Sequence, residues 1–177
     1  MAKDQDNIRI YGSEDDTVWL APLGTTLPTG LAAPGAGFED VGYLGESGID
    51  LTRDDSVQQF RAHQGGKVVR KKITESSTSF VFRTLEDNET TAKLADNVIS
   101  SSTATGVTTS VLSSAREVQA YACVVDKFDA GIHERHVIAR LEVAGGGTET
   151  WSNSELTERE FTGEVIGNFT KIVGPAA

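Results

Sequence analysis

Short stretches of period-two alternation, broken again and again by glycine, decide what this chain can fold into. Ile49-Asp50-Leu51-Thr52 alternates apolar and polar residues, and Ser79-Phe80-Val81-Phe82-Arg83-Thr84-Leu85 interleaves aromatic and apolar residues with polar ones. Successive side chains on a strand face opposite ways, so such stretches read as half-buried strands, with the second the strongest. From His136 to Val143 the alternation is longer: Val137, Ala139, Leu141 and Val143 point one way, and His136, Ile138, Arg140 and Glu142 the other. Val118 to Val125 is almost uninterruptedly apolar, which fits a strand buried on both faces. Arg159 to Gly167, with Phe161, Val165 and Ile166, reads as a closing strand.

The connections are read from turn and cap chemistry. Val57 to His63 and Lys67 to Thr74 flank Gln64-Gly65-Gly66, a hairpin signal because both glycines accept positive φ. Gly145-Gly146-Gly147 is expected to turn the long strand back onto Thr148 to Trp151. Asp87 or Asn88 caps a helix expected over 88–98, with Glu89 in its first turn and Ala92, Leu94, Ala95 and Val98 on one apolar face. Ser100 to Ser114 reads as a Ser/Thr-rich connector. Residues 1–40 read as a polar tail followed by an extended arm. The arm from Thr17 to Asp40, interrupted by Pro22, Pro28 and Pro34, is expected to order only against neighbours. Residues 41–177 then form one mainly β domain, a sandwich or small barrel of about eight strands with long loops and one flanking helix.

Composition excludes several function classes. A net charge of -10 argues against gripping nucleic acid, which needs clustered Lys and Arg to displace counterions from phosphates. Cys123 is the only cysteine, so no internal disulfide forms. Met1 to Asp16 is polar and acidic rather than leader-like, and no apolar run approaches the ~18–20 residues of a membrane span. A protein kept in a reducing cytoplasm, with no membrane partner, is expected.

Catalytic and metal chemistry find no support. His133-Glu134-Arg135-His136 brings two imidazoles close in sequence, but in an extended chain they face opposite ways and lack the helical spacing of a zinc protease. Cys123 lies inside an apolar run and reads as a small core residue. No nucleophile elbow, phosphate loop or dinucleotide fingerprint occurs, so neither enzyme nor cofactor is expected. Asp15 with Asp16, and Glu158 with Glu160, read as solvated charge.

One charge feature stands apart. Between Arg53 and Glu75, six bases face three acids, which leaves this stretch at +3 and the rest of the chain, from a total of -10, at -13. It is read either as a solvated hairpin or as a basic protrusion that docks on an acidic face of an identical neighbour.

Val18-Trp19-Leu20-Ala21-Pro22-Leu23-Gly24-Thr25-Thr26-Leu27-Pro28, then Val41-Gly42-Tyr43-Leu44-Gly45-Glu46-Ser47-Gly48-Ile49, the basic hairpin at about 53–75 and Ser79-Phe80-Val81-Phe82 together resemble major tail tube proteins of siphophages. The likeness runs in order from about residue 17 to the helix. It implies a virion protein whose six copies form a ring, whose rings stack on a tape-measure protein, and whose lumen conducts genomic DNA without binding it specifically. On that reading the partners are further copies, the tape-measure protein and other tail proteins, and the protein resides in the virion tail after assembly in the host cytoplasm. Val18, Trp19, Leu20, Leu23, Arg61, Lys67, Arg70, Lys71 and Lys72 become the candidate subunit or ring contacts. Glu75, Asp126 and Glu142 become candidate acids on the lumen wall. Another oligomeric virion component, such as a tail terminator or decoration protein, remains the alternative; a carbohydrate-binding sandwich would need clustered exposed aromatics.

Overall fold

The computed structural model describes residues 8–115, 117–149 and 151–176. Of the expected polar tail over residues 1–16, residues 1–7 lie outside them. In chain order come β1 (Thr17–Pro22), β2 (Glu39–Asp40), β3 (Leu44–Arg61), β4 (Val68–Thr84), α1 (Glu89–Ala95), β5 (Asn97–Ala104) and β6 (Val107–Ser113). They are followed by β7 (Gln119–Asp129), β8 (Ile132–Glu149), β9 (Arg159–Val165) and β10 (Phe169–Pro175). The mainly β class with one short helix is as expected. No described helix is long and apolar enough to cross a membrane.

The main sheet has the order β2-β1-β7-β8-β9-β4-β3, and β10 branches from it by pairing β8. The branch explains how one sheet makes two layers. β7 covers one edge of β8, while the other edge is shared: β10 takes Ile132 to Ile138 and β9 takes Leu141 to Glu149. Beyond that point only β9 continues outward, pairing β4. β4 therefore lies across β10, and Phe80 brings its ring to 5.6 Å from His136 and 6.2 Å from Phe169. The two outer strands, β2 and β3, do not pair with each other, so the sheet stays open rather than closing as a small barrel.

Between the layers sit Val18, Leu20, Phe80, Phe82, Cys123, Val125, Ile138, Leu141, Val143 and Phe161, with Leu94 of α1 closing one end. Burying each large side chain contributes roughly 1.5–3 kcal/mol. The expected alternation along β8 breaks at Ala139-Arg140: Tyr121 pairs Leu141 but Cys123 pairs Ile138, so β8 carries one extra residue. That bulge reverses the parity of the strand. Ile138 consequently joins Leu141 and Val143 in the core, and Ala139 is exposed.

Four further expectations are corrected. The glycines at 145–147 do not turn the chain, because β8 runs through to Glu149 with irregular pairing to β9. The Ser/Thr-rich connector is a second hairpin, β5–β6, since Ser and Thr suit a pleated ribbon as well as a loop. The helix ends at Ala95, before β-branched Val98 and Ile99, which enter β5. The N-terminal arm is not separable: β1 lies inside the main sheet between β2 and β7, pairing Thr17 through Pro22 with Asp126 through Tyr121.

Candidate assembly surfaces

A long ribbon made by β3 and β4 stands uncovered. Both strands are buried only near the body; from Thr52 to Arg61 and from Val68 to Ser77 every residue is exposed. Ala62 N–H donates to Lys67 O across the tip at 2.8 Å, and Gly65 and Gly66 take φ of +69° and +64°, as the paired-glycine reading requires. Among the described residues the outer edge of β3 has no partner strand, and β4 is paired on its second side only from Ser79 to Thr84. Cross-strand pairs assign the side chains to two faces. Val57 opposes Ile73 and Gln59 opposes Lys71 on the face continuous with the core, while Gln58 opposes Lys72 and Phe60 opposes Arg70 on the other.

The sequence-derived contact candidates divide accordingly. Lys67, Arg70, Lys71 and Lys72 are exposed and pair with no acid among the described residues. Arg61 is spent on the ribbon itself, donating to Gly66 O at 3.0 Å and Gln59 Oε1 at 3.3 Å. Val18 and Leu20 are fully enclosed by the chain's own core, so the arm offers Leu23, exposed, and Trp19, half-buried. Sequence placed all four together because they share an apolar stretch; alternation in β1 separates them.

Of the three candidate lumen acids, Asp126 is corrected. It is 3% exposed, and the Arg135 guanidinium grips it from Nε to Oδ1 at 2.6 Å and from Nη2 to Oδ2 at 2.8 Å, with His133 Nε2 2.8 Å from Oδ1. Arg135 Nη1 also donates to Gly30 O at 2.8 Å and Ala32 O at 2.6 Å, which fastens the Pro/Gly-rich loop to the sheet. Glu75 stands exposed on the ribbon opposite Ser56. Glu142 is half-buried and engaged by Arg140 at 2.6 Å.

His133 and His136 face opposite ways, as the extended spacing requires. Among the described residues no group of three or more His, Cys, Asp or Glu could hold a metal ion. Burial raises the Cys123 thiol far above its ordinary value, and its position inside the core leaves no route for a substrate.

Sequence reasoning missed two surfaces. The β5–β6 hairpin projects Val98, Ile99, Val107, Val111 and Leu112 into solvent. A cleft of about 750 Å³ is lined by Glu14, Asp15, Asp16, Asp40, Glu46 and Glu86, with Lys127 the one base. The cleft was illegible because its acids come from separate segments, joined when β1 pairs β2 and β3 leaves the body. Three of them serve local structure: Asp16 accepts from Gly12 N and Phe128 N, Asp40 from Thr17 Oγ1 and Gly42 N, and Glu86 from Tyr43 N. Lys127 is turned to Glu134, 2.9 Å away, and to the Tyr11 ring. Glu14, Asp15 and Glu46 are exposed and form no ion pair among the described residues.

Comparison with known proteins finds the family described as "Phage tail tube protein" matching residues 1–161. No curated protein matches the chain. Among solved structures, a chain from "Virion of native gene transfer agent (GTA) particle" is similar at 9% identity with a TM-score of 0.47, covering 97% of this chain and 99% of that one.

Proposed function

Because the chain belongs to the phage tail tube protein family, we propose that it polymerises as stacked hexameric rings that form the tube of a long, non-contractile tail. It is a structural protein of the virion tail and not an enzyme. The observation that carries the polymeric reading is the bare β3–β4 ribbon. A two-stranded ribbon is marginal in water on its own, and long unpaired edges with exposed Val57, Phe60, Val69 and Ile73 are aggregation templates unless a partner covers them. Neighbouring copies supply that cover. Assembly takes place in the host cytoplasm, around a tape-measure protein and with the other tail proteins.

The tube conducts genomic DNA during ejection. A duplex carries one negative charge per ~1.7 Å, so a basic wall would hold it and an acidic wall keeps it centred. Glu75 and Glu142 are the acids proposed for that wall, six-fold repetition multiplying the field of each, while Lys67, Arg70, Lys71 and Lys72 lie at subunit contacts. Negative-stain microscopy of the purified protein tests the assembly: long hollow tubes are expected, single closed rings would indicate a terminator, and monodisperse monomers would refute both. Duplex DNA retained inside empty tubes at physiological salt would overturn the acidic wall.

A further inference from the structure

We propose that the tip of the β3–β4 ribbon of one copy seats in the acidic cleft of a second copy, with Lys71 and Lys72 meeting Glu14, Asp15 and Glu46. The inference rests on the polymeric reading above and adds the receptor for the ribbon.

Two surfaces are left uncompensated among the described residues of one chain. Lys67, Arg70, Lys71 and Lys72 crowd one end of an exposed ribbon, and Glu14, Asp15 and Glu46 line a cleft whose one base among the described residues, Lys127, already serves Glu134 and Tyr11. Each surface raises its own electrostatic energy through like-charge crowding, and each is what the other lacks. Trp19 lines the same cleft, and its buried Nε1 has no acceptor among the described residues, whereas Gln58 and Gln59 stand beside the two lysines on the ribbon.

Geometry makes the contact intermolecular. β3 is continuous from the cleft, which Ile49 lines, to the tip at Arg61. A rise of ~3.3 Å per residue carries the tip about 40 Å away from its own cleft. The ribbon is bulged at Ser56/Val57 and Phe60/Arg61, but every residue from Thr52 to Arg61 and from Val68 to Ser77 is exposed, so it does not fold back onto its own body and the tip reaches another copy's cleft. Two different surfaces then meet, which makes the contact heterologous, and every copy keeps a free tip and a free cleft for the next. Such a contact propagates instead of closing on a dimer, and it gives the assembly a direction.

A charge exchange tests this. Lys71→Glu with Lys72→Glu, and separately Glu14→Lys with Asp15→Lys and Glu46→Lys, alter exposed side chains that form no ion pair among the described residues, so melting temperatures should match the parent. Each set alone should reduce polymer, measured by sedimentation and negative-stain counts, at least tenfold, and the two sets combined in one chain should restore it. Parent tubes together with a cleft variant that polymerises normally, or a combined variant that stays as deficient as the ribbon variant, would overturn the cleft as receptor while leaving the tube reading intact. A parent protein that never polymerises would overturn both. As a check independent of the charge variants, Lys71→Cys with Glu46→Cys should give a ladder of disulfide-linked oligomers on mild oxidation, because Cys123 is buried and does not compete. Absence of the ladder from assembled tubes would also overturn the contact.

Discussion

Arg135 and Asp126 oppose each other across β7 and β8 and close a two-point ion pair inside the protein, each side chain at most 4% exposed. The same guanidinium holds the carbonyls of Gly30 and Ala32, so one residue ties a proline- and glycine-rich loop to the centre of the sheet. Removing it leaves a buried carboxylate whose one remaining side-chain partner among the described residues is His133. Arg135→Ala should therefore cost about 3–5 kcal/mol in urea denaturation, and Arg135→Met with Asp126→Leu should recover part of that loss. Amide exchange near residues 30–32 should quicken in both variants; an unchanged rate would show that the loop is held by other contacts.

Gly163 sits between two strands, opposite Phe80 on β4 and Val143 on β8. A methyl group there would stand 2.6 Å from Leu141 Cγ, inside the core. Gly163→Ala should destabilise the fold by roughly 1–3 kcal/mol through overpacking, despite the better strand propensity of alanine. The double change with Leu141→Ala should show a coupling that thermal melts detect, the second substitution costing less than it does alone.

Acid should weaken the monomer in two stages. Burial, reinforced by the charge of Lys127, lowers the His136 imidazole from its ordinary 6.5 to about 4. Between those values the unfolded chain holds a proton that the folded chain refuses, so stability falls as pH falls through that window, by at most about 3 kcal/mol. Burial would raise the Glu134 carboxyl, but hydrogen bonds from Lys171 and Lys127 outweigh it and bring the group from 4.5 down to about 2. Its contribution, complete above pH 4.5, is lost as pH drops toward 2. Urea midpoints from pH 7 to pH 3 should trace both stages, and His136→Leu should flatten the upper one alone.

The cap of α1 offers a smaller test. Asn88 Oδ1 accepts from Thr91 N at 2.9 Å, and Thr91 Oγ1 accepts from Asn88 N at 3.0 Å. Asn88 Nδ2 also donates to Val41 O, so the cap ties the helix to the body. Asn88→Ala should cost about 1 kcal/mol, whereas Glu89→Ala, which removes only an exposed pair with Lys93, should cost a few tenths.

Local pattern sufficed for the elements whose physics is local. Phe80 and Phe82 stand two residues apart, and only a strand puts both on the same face of a core; Gly65-Gly66 takes the positive φ that its hairpin needs; Asn88 begins the helix because its side chain reaches Thr91 N. The charge imbalance of the ribbon is also legible in one dimension, since charges do not depend on folding. Pairing partners are another matter. The extra residue at Ala139-Arg140 reverses which side chains of β8 meet the core, and nothing near it in sequence announces that Cys123 and Tyr121 will stand opposite. Asp126 reads as an ordinary exposed acid until Arg135 is brought across from the next strand to neutralise it. The acidic cleft exists only because strand pairing draws Glu14, Asp40, Glu46 and Glu86 to one place. Sequence thus determined the class of fold, the turns and the sign of each charged segment, because those depend on neighbours along the chain. Tertiary structure decided which charges are buried, which remain unmatched and how far the ribbon stands from the cleft it complements, because those depend on distances through space.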